Sequence, residues 1–168
     1  MRIALFGPMC SGKSTIAKHL EKDKNFKIFN FAGKVKKYCK EIFNMEYKDR
    51  ALLQDFANKC RDIKPTVWVD LVEKEIIKNK DSNIVIDDLR YPNELEMLKR
   101  YNFTIVKLHI SKSLQIERLK ITYPKTYKEH LERLDHKSES YYNIMAFDKE
   151  IDIVKNENIK EVQNKIIK

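Results

Sequence analysis

Two of the chain's three glycines fall in Gly7-Pro8-Met9-Cys10-Ser11-Gly12-Lys13-Ser14, which has the spacing GxxxxGK[ST]. A loop of this kind turns successive backbone N–H groups onto one point. A helix opening there adds about half a positive charge, so the implied chemistry is phosphate binding. Lys13 can reach β- and γ-phosphates as a mobile cation, Ser14 offers a hydroxyl to Mg²⁺, and Thr15 can cap the same turn. Gly7 and Gly12 allow close backbone approach and positive φ. Cys10 reads as a small filler, with the helix N-terminus expected to lower its thiol pKa.

A second group follows the apolar run Ile84-Val85-Ile86, where Asp87-Asp88 leads to Arg90 and the turn Tyr91-Pro92. An acid at the carboxyl end of a sheet strand lies beside such a loop and can hold Mg²⁺ through water. Either acid fits, the other then serving the turn, and Asp88 is the preferred metal residue.

These groups need a frame. Arg2–Phe6 reads as a buried strand and Lys13–Lys22 as a helix with Ile16, Ala17 and Leu20 on one face. Phe26–Asn30 is a second strand. Residues from Ala32 to about Lys78 form two or three helices, with breaks near Met45–Lys48 and at Lys64-Pro65. Ile84–Asp87 is a strand, and Pro92 opens a helix with Glu94 and Glu96 in its first turn. Strand Phe103–Ile110, helix Ser113–Ile121, strand Glu150–Val154 and helix Asn158–Ile167 complete the alternation. The expected fold class is α/β, three layers α/β/α around a parallel five-stranded sheet, in a single domain 1–168.

Composition narrows the partners. With 168 residues, one domain with a sizeable core is expected. The net charge of +9 is mostly Lys, which is abundant throughout and fits a compositional bias as well as an anionic ligand. No apolar run approaches the ~20 residues that span a bilayer. Only Ile3 to Phe6 stand between Met1-Arg2 and Gly7-Pro8, against roughly 7–15 apolar residues in a secretory signal, so a cytoplasmic location is expected. Three cysteines, Cys10, Cys39 and Cys60, without a CxxC pair, read as reduced thiols.

The chain resembles the deoxynucleoside monophosphate kinases of bacteriophages and large DNA viruses, within the adenylate-kinase-like group of phosphate-loop enzymes. Besides Gly7–Thr15, the resemblance rests on four stretches. These are Phe31-Ala-Gly-Lys-Val-Lys36; Arg50-Ala-Leu-Leu-Gln54 with Arg61 and Trp68; Asp88-Leu-Arg90-Tyr-Pro-Asn-Glu94; and His136-Lys-Ser138-Glu139. It implies a core of 1–31, 80–117 and 138–168, an acceptor-binding helical region 32–79, and a lid at about 118–137. It also implies ATP as donor, Mg²⁺ as cofactor, small nucleotides rather than nucleic acid as partners, a monomer or homodimer, and the host cytoplasm as location.

A nucleoside monophosphate already carries an anionic oxygen as nucleophile, so its kinase needs cations rather than a base. Arginine forks suit that task, and only seven exist. Arg50, Arg61 and Arg90 are expected on the acceptor phosphate with Lys36 assisting. Gln54, Phe31, Trp68 and His136 are expected at the acceptor's base or pocket. Arg50 and Lys36 fit a solvated helix face equally, and Trp68 fits core packing. Arg118 and Arg133 bracket a segment, Arg118–Lys137, with six basic and three acidic residues, which reads as a lid supplying cations or as a charged surface helix pair. Asn156 is expected at the donor adenine. The competing activities are phosphorylation of a polynucleotide 5′-hydroxyl or of another small metabolite, or nucleotide-dependent switching.

Overall fold

The computed structural model of the protein describes residues 1–47, 49–132 and 141–168, without the side chains of Arg50 and Glu132. Along the chain run β1 (Arg2–Phe6), α1 (Lys13–Lys24), β2 (Phe26–Phe29), α2 (Phe31–Phe43), α3 (Arg50–Ile63), α4 (Val67–Lys78) and β3 (Asn83–Ile86). Then come α5 (Pro92–Arg100), β4 (Thr104–Ile110), α6 (Lys112–Thr122), α7 (Tyr127–Glu132), β5 (Lys149–Ile153) and α8 (Ile159–Ile167). The expected alternation holds, and 32–78 resolves into three helices. Helix α1 runs two residues further than its apolar pattern because Asn25, at φ 54°, accepts the left-handed conformation that ends it.

All five strands are parallel, in the order β2-β3-β1-β4-β5. Period-two alternation sorts their side chains between two layers. Ile3, Leu5, Val85, Val106 and Leu108 pack against α1, α6 and α8, whereas Ala4, Phe6, Ile84, Ile86 and Ile105 pack against α4 and α5. A third cluster, around Val35, Cys39, Ala57 and Trp68, joins α2, α3 and α4. This order places β1 centrally, between β3 and β4. The pairing Ala4↔Ile86 therefore brings the loop after β1 and the loop after β3 side by side at the carboxyl edge. In open parallel sheets, that edge is where ligands bind. Among the described residues no helix is long and apolar enough to cross a membrane, and the three cysteines are free thiols.

Candidate functional site

The loop after β1 is shaped by its glycines. Gly7 has φ 157°, and a Cβ there would lie 2.6 Å from the Leu108 carbonyl oxygen of β4. Gly12 has φ 97° in open space, its nearest neighbour being Arg118 Nη1 at 3.8 Å. Cys10 also has positive φ, at 64°. Helix α1 starts at Gly12 with no side-chain cap, leaving its first N–H groups to face the cleft. Lys13 folds back over the loop, its Nζ donating to the carbonyls of Gly7 at 2.6 Å and Pro8 at 2.9 Å.

Helix α6 braces the loop from above. Gln115 Nε2 donates to the Met9 carbonyl at 2.9 Å and Arg118 Nη1 to the Cys10 carbonyl at 3.2 Å, while the Thr122 side chain hydrogen-bonds the Cys10 thiol. Gln115, Arg118 and Thr122 share one helical face. The expected lowering of the Cys10 pKa is corrected. Burial pushes the thiol up, outweighing the Thr122 hydrogen bond and the charges of Lys13 and Arg118.

The facing wall comes from the loop after β3 and the start of α5. Both Asp88 carboxylate oxygens accept backbone N–H groups at the start of α2, Phe31 at 3.0 Å and Ala32 at 2.8 Å. Asp88 thus caps α2, whose own N-cap Asn30 makes no side-chain bond. Desolvation, with Asp87 adding repulsion, raises its pKa to about 6. The preference for Asp88 at the metal shifts toward Asp87, the neighbouring carboxylate on the cleft wall, because each Asp88 oxygen already accepts one N–H of the helix and keeps fewer acceptor positions. Glu94 is 3% exposed and accepts the N–H groups of Arg90 at 2.8 Å and Tyr91 at 3.1 Å. Burial, then the charge of Asp88, pushes it up to about 8.

Helix α3 presents Gln54, Asn58 and Arg61 on one stripe to the same cleft. Arg61 is positioned from two sides, its guanidinium 4.6 Å from the centre of the Tyr91 ring and its Nη1 3.3 Å from Asn58 Oδ1.

The continuous cleft has a volume of about 940 Å³. It brings together Met9, Cys10, Ser11, Gly12, Lys13, Ser14 and Thr15 with Phe31, Lys36, Gln54, Arg61, Asp88, Arg90 and Arg118. Gly7 and Pro8 stand behind the loop as the carbonyls that hold Lys13. Two expected site residues, Trp68 and Asn156, do not line the cleft. Trp68 is 3% exposed, packs against Tyr38 and Phe56, and donates its indole N–H to the Ala57 carbonyl at 3.1 Å, so it is core rather than a base contact. Asn156 is exposed, with φ 63°, in the β5–α8 turn; Val154 and Glu157 from that turn line the cleft instead. Arg133 and His136 lie outside the described residues, as does the Arg50 side chain, and so does the part of the expected lid beyond Glu132.

Sequence reasoning missed Asn58, Tyr91, Glu94, Gln115 and Glu157. Asn58 had a signal, lying one helical turn beyond Gln54 on the face that ends at Arg61.

A phosphate loop after the central strand of this parallel sheet, facing acids and arginines across a cleft, defines the phosphate-loop kinase fold. The family model described as an AAA domain matches residues 3–144, and the chain belongs to that family. Solved structures share the fold. A gluconokinase from Sinorhizobium meliloti 1021 is 14% identical over 98% of this chain and 88% of its own, with a TM-score of 0.57. Shikimate kinase from Aquifex aeolicus VF5 is 22% identical over 99% and 94%, with a TM-score of 0.58. An uncharacterized protein from Eubacterium ventriosum ATCC 27560 is 16% identical over 99% and 96%, with a TM-score of 0.61. No curated protein matches the sequence.

Proposed function

We propose that the protein transfers the γ-phosphoryl group of ATP, with Mg²⁺, to a (deoxy)nucleoside 5′-monophosphate, giving the diphosphate. The observation carrying this reading is one cleft lined both by the phosphate loop with Lys13 and by Arg61 and Arg90. Two phosphates repel each other, and the cost of bringing them into line falls on cations fixed in advance. Arg61, held by Tyr91 and Asn58, is preorganised for such a clamp. Arg90 joins it from a turn fixed by Glu94.

On the donor side, Lys13 exchanges its loop carbonyls for phosphate oxygens, and Arg118 follows from the brace above the loop. The donor set fits Mg²⁺. Ser14 and Asp87 are hard oxygen groups lining one cleft, and among the described residues no cluster of three His, Cys, Asp or Glu forms a protein cage. Mg²⁺, when bound, neutralises charge on the transferring phosphates. The end of α6 and helix α7, where the Tyr123 and His130 rings meet at 4.3 Å and 46°, form the described part of the lid, and the viral deoxynucleotide role follows the sequence resemblance.

One observation favours a second reading. Asp88, with a pKa of about 6, stands in the cleft, and a carboxyl so tuned suits deprotonation of a hydroxyl acceptor. A gluconokinase and a shikimate kinase share this fold. ADP release measured with ATP and Mg²⁺ against monophosphates, gluconate, shikimate and a 5′-hydroxyl oligonucleotide separates the two readings.

A further inference from the structure

Pro8, Met9, Cys10 and Ser11 form a tight turn inside the phosphate loop, closed by the Ser11 N–H on the Pro8 carbonyl at 3.2 Å. Of the two central residues only Cys10 has positive φ, at 64°, and that combination defines a type II turn. Its third position ordinarily takes glycine or asparagine, because other side chains are strained there. The relaxed alternative is a type I turn, reached by rotating the Met9–Cys10 peptide by roughly half a turn, which returns Cys10 to negative φ. Something must hold the peptide in the strained form.

Helix α6 supplies the hold. Gln115, only 5% exposed, donates from Nε2 to the Met9 carbonyl at 2.9 Å. Arg118 on the Cys10 carbonyl and Thr122 on the Cys10 thiol grip neighbouring atoms of the loop, not this peptide. A trans peptide is planar, with its carbonyl and N–H opposed, so a Met9 carbonyl facing α6 turns the Cys10 N–H away from that helix. Among the described residues this N–H makes no hydrogen bond, and Cys10 lines the cleft. Rotating the peptide would put a carbonyl oxygen in its place, and an oxygen there repels a phosphate.

We infer that Gln115 is a positioning residue, which keeps the Met9–Cys10 peptide in the orientation that presents the Cys10 N–H to a bound phosphate. The inference rests on the phosphate-loop reading of the donor site and adds to it the side chain that sets the loop's shape. It also divides the duties of α6. Arg118 leaves the Cys10 carbonyl for the transferring phosphates, whereas Gln115 stays on the Met9 carbonyl and keeps the turn as it is.

The test combines amide NMR with calorimetry of ADP binding to the whole protein. In the wild type, saturation with ADP is expected to move the Cys10 amide proton downfield, the signature of an N–H donating to a charged oxygen. Gln115→Met keeps the length of the side chain and loses the donor. With roughly a tenth of its molecules keeping the type II turn, ADP affinity is expected to fall about tenfold. Rescue separates orientation from packing. In a Cys10→Gly background, where the turn carries no strain, Gln115→Met is expected to lower ADP affinity less than about threefold. An unmoved Cys10 amide in the ADP-bound wild type overturns the assignment whether or not the variants fold. So does unchanged affinity in folded Gln115→Met, or an equal loss in both backgrounds, and each leaves the donor site standing. Failure of ADP to bind the wild type overturns the phosphate-loop reading and this one with it.

Discussion

Replacing Gly7 by alanine puts a methyl group 2.6 Å from the Leu108 carbonyl oxygen, 3.0 Å from Ser11 Oγ and 3.1 Å from Leu108 Cβ. The Leu108 side cannot give way. Leu108 lies within β4, paired with β1 on one side and β5 on the other, and its carbonyl also accepts the Tyr142 hydroxyl at 3.3 Å. The phosphate loop must move instead, displacing the Gly7 and Pro8 carbonyls that hold Lys13. Overpacking of this kind costs ~1–3 kcal/mol. At ~2–4 °C per kcal/mol for a chain of this size, Tm falls by roughly 2–12 °C. Gly12→Ala is the contrast, because its methyl group meets nothing closer than 3.8 Å and only the φ of 97° opposes it, at ~1–2 kcal/mol. Differential scanning fluorimetry and ADP titration of both variants give the comparison. Both variants are expected to lose stability, Gly12→Ala by roughly 2–8 °C, and Gly7→Ala is expected to lose ADP affinity as well because its clash moves the carbonyls that hold Lys13. Wild-type Tm and ADP affinity in Gly7→Ala would refute the close approach on which the loop's shape depends.

Arg61→Lys keeps the charge and loses the fork; losing one charge-assisted bond of ~1.5–3 kcal/mol raises acceptor KM roughly 10- to 150-fold with ATP KM steady, as initial-rate kinetics would read. Trp68→Phe gives up the bond to the Ala57 carbonyl and some packing, costing ~1–2 kcal/mol with acceptor KM unchanged; a selective rise in KM at unchanged Tm would return Trp68 to the site. Glu94 sits at about 8 against an ordinary 4.5, so between those values the native state binds more protons than the unfolded chain, and stability falls as pH rises through that window. Glu94→Gln flattens that fall in denaturant melts taken from pH 5 to pH 8, and equal slopes would contradict the burial argument.

The strands were legible because each is a short apolar run between turn residues, and the phosphate loop because its glycines and Lys13 sit at a spacing few other tasks require. The order of the strands was not, since nothing local in Arg2–Phe6 says that β3 and β4 flank it. That order decides what faces the loop. The sequence offers both Asp87 and Asp88, with Asp88 preferred; only the approach of α2, whose N-terminus lacks a cap of its own, commits Asp88 to Phe31 and Ala32. Trp68 was open between base pocket and core for a related reason, since only the closing of α2 and α3 over it settles the packing. Glu157 gave no signal, because a glutamate before a helix is commonplace and its near-burial depends on where α8 packs.

The central claim is phosphoryl transfer from ATP at Lys13 to a monophosphate held by arginines of the same cleft. It is tested most directly by coupled ADP release, with ATP and Mg²⁺, for each common ribo- and deoxyribonucleoside monophosphate, with Lys13→Ala alongside. The account predicts turnover on one or more monophosphates and a fall in kcat of at least about 100-fold in the variant, with acceptor KM little changed. Turnover only on a hydroxyl acceptor, or an unchanged kcat in Lys13→Ala, would contradict it.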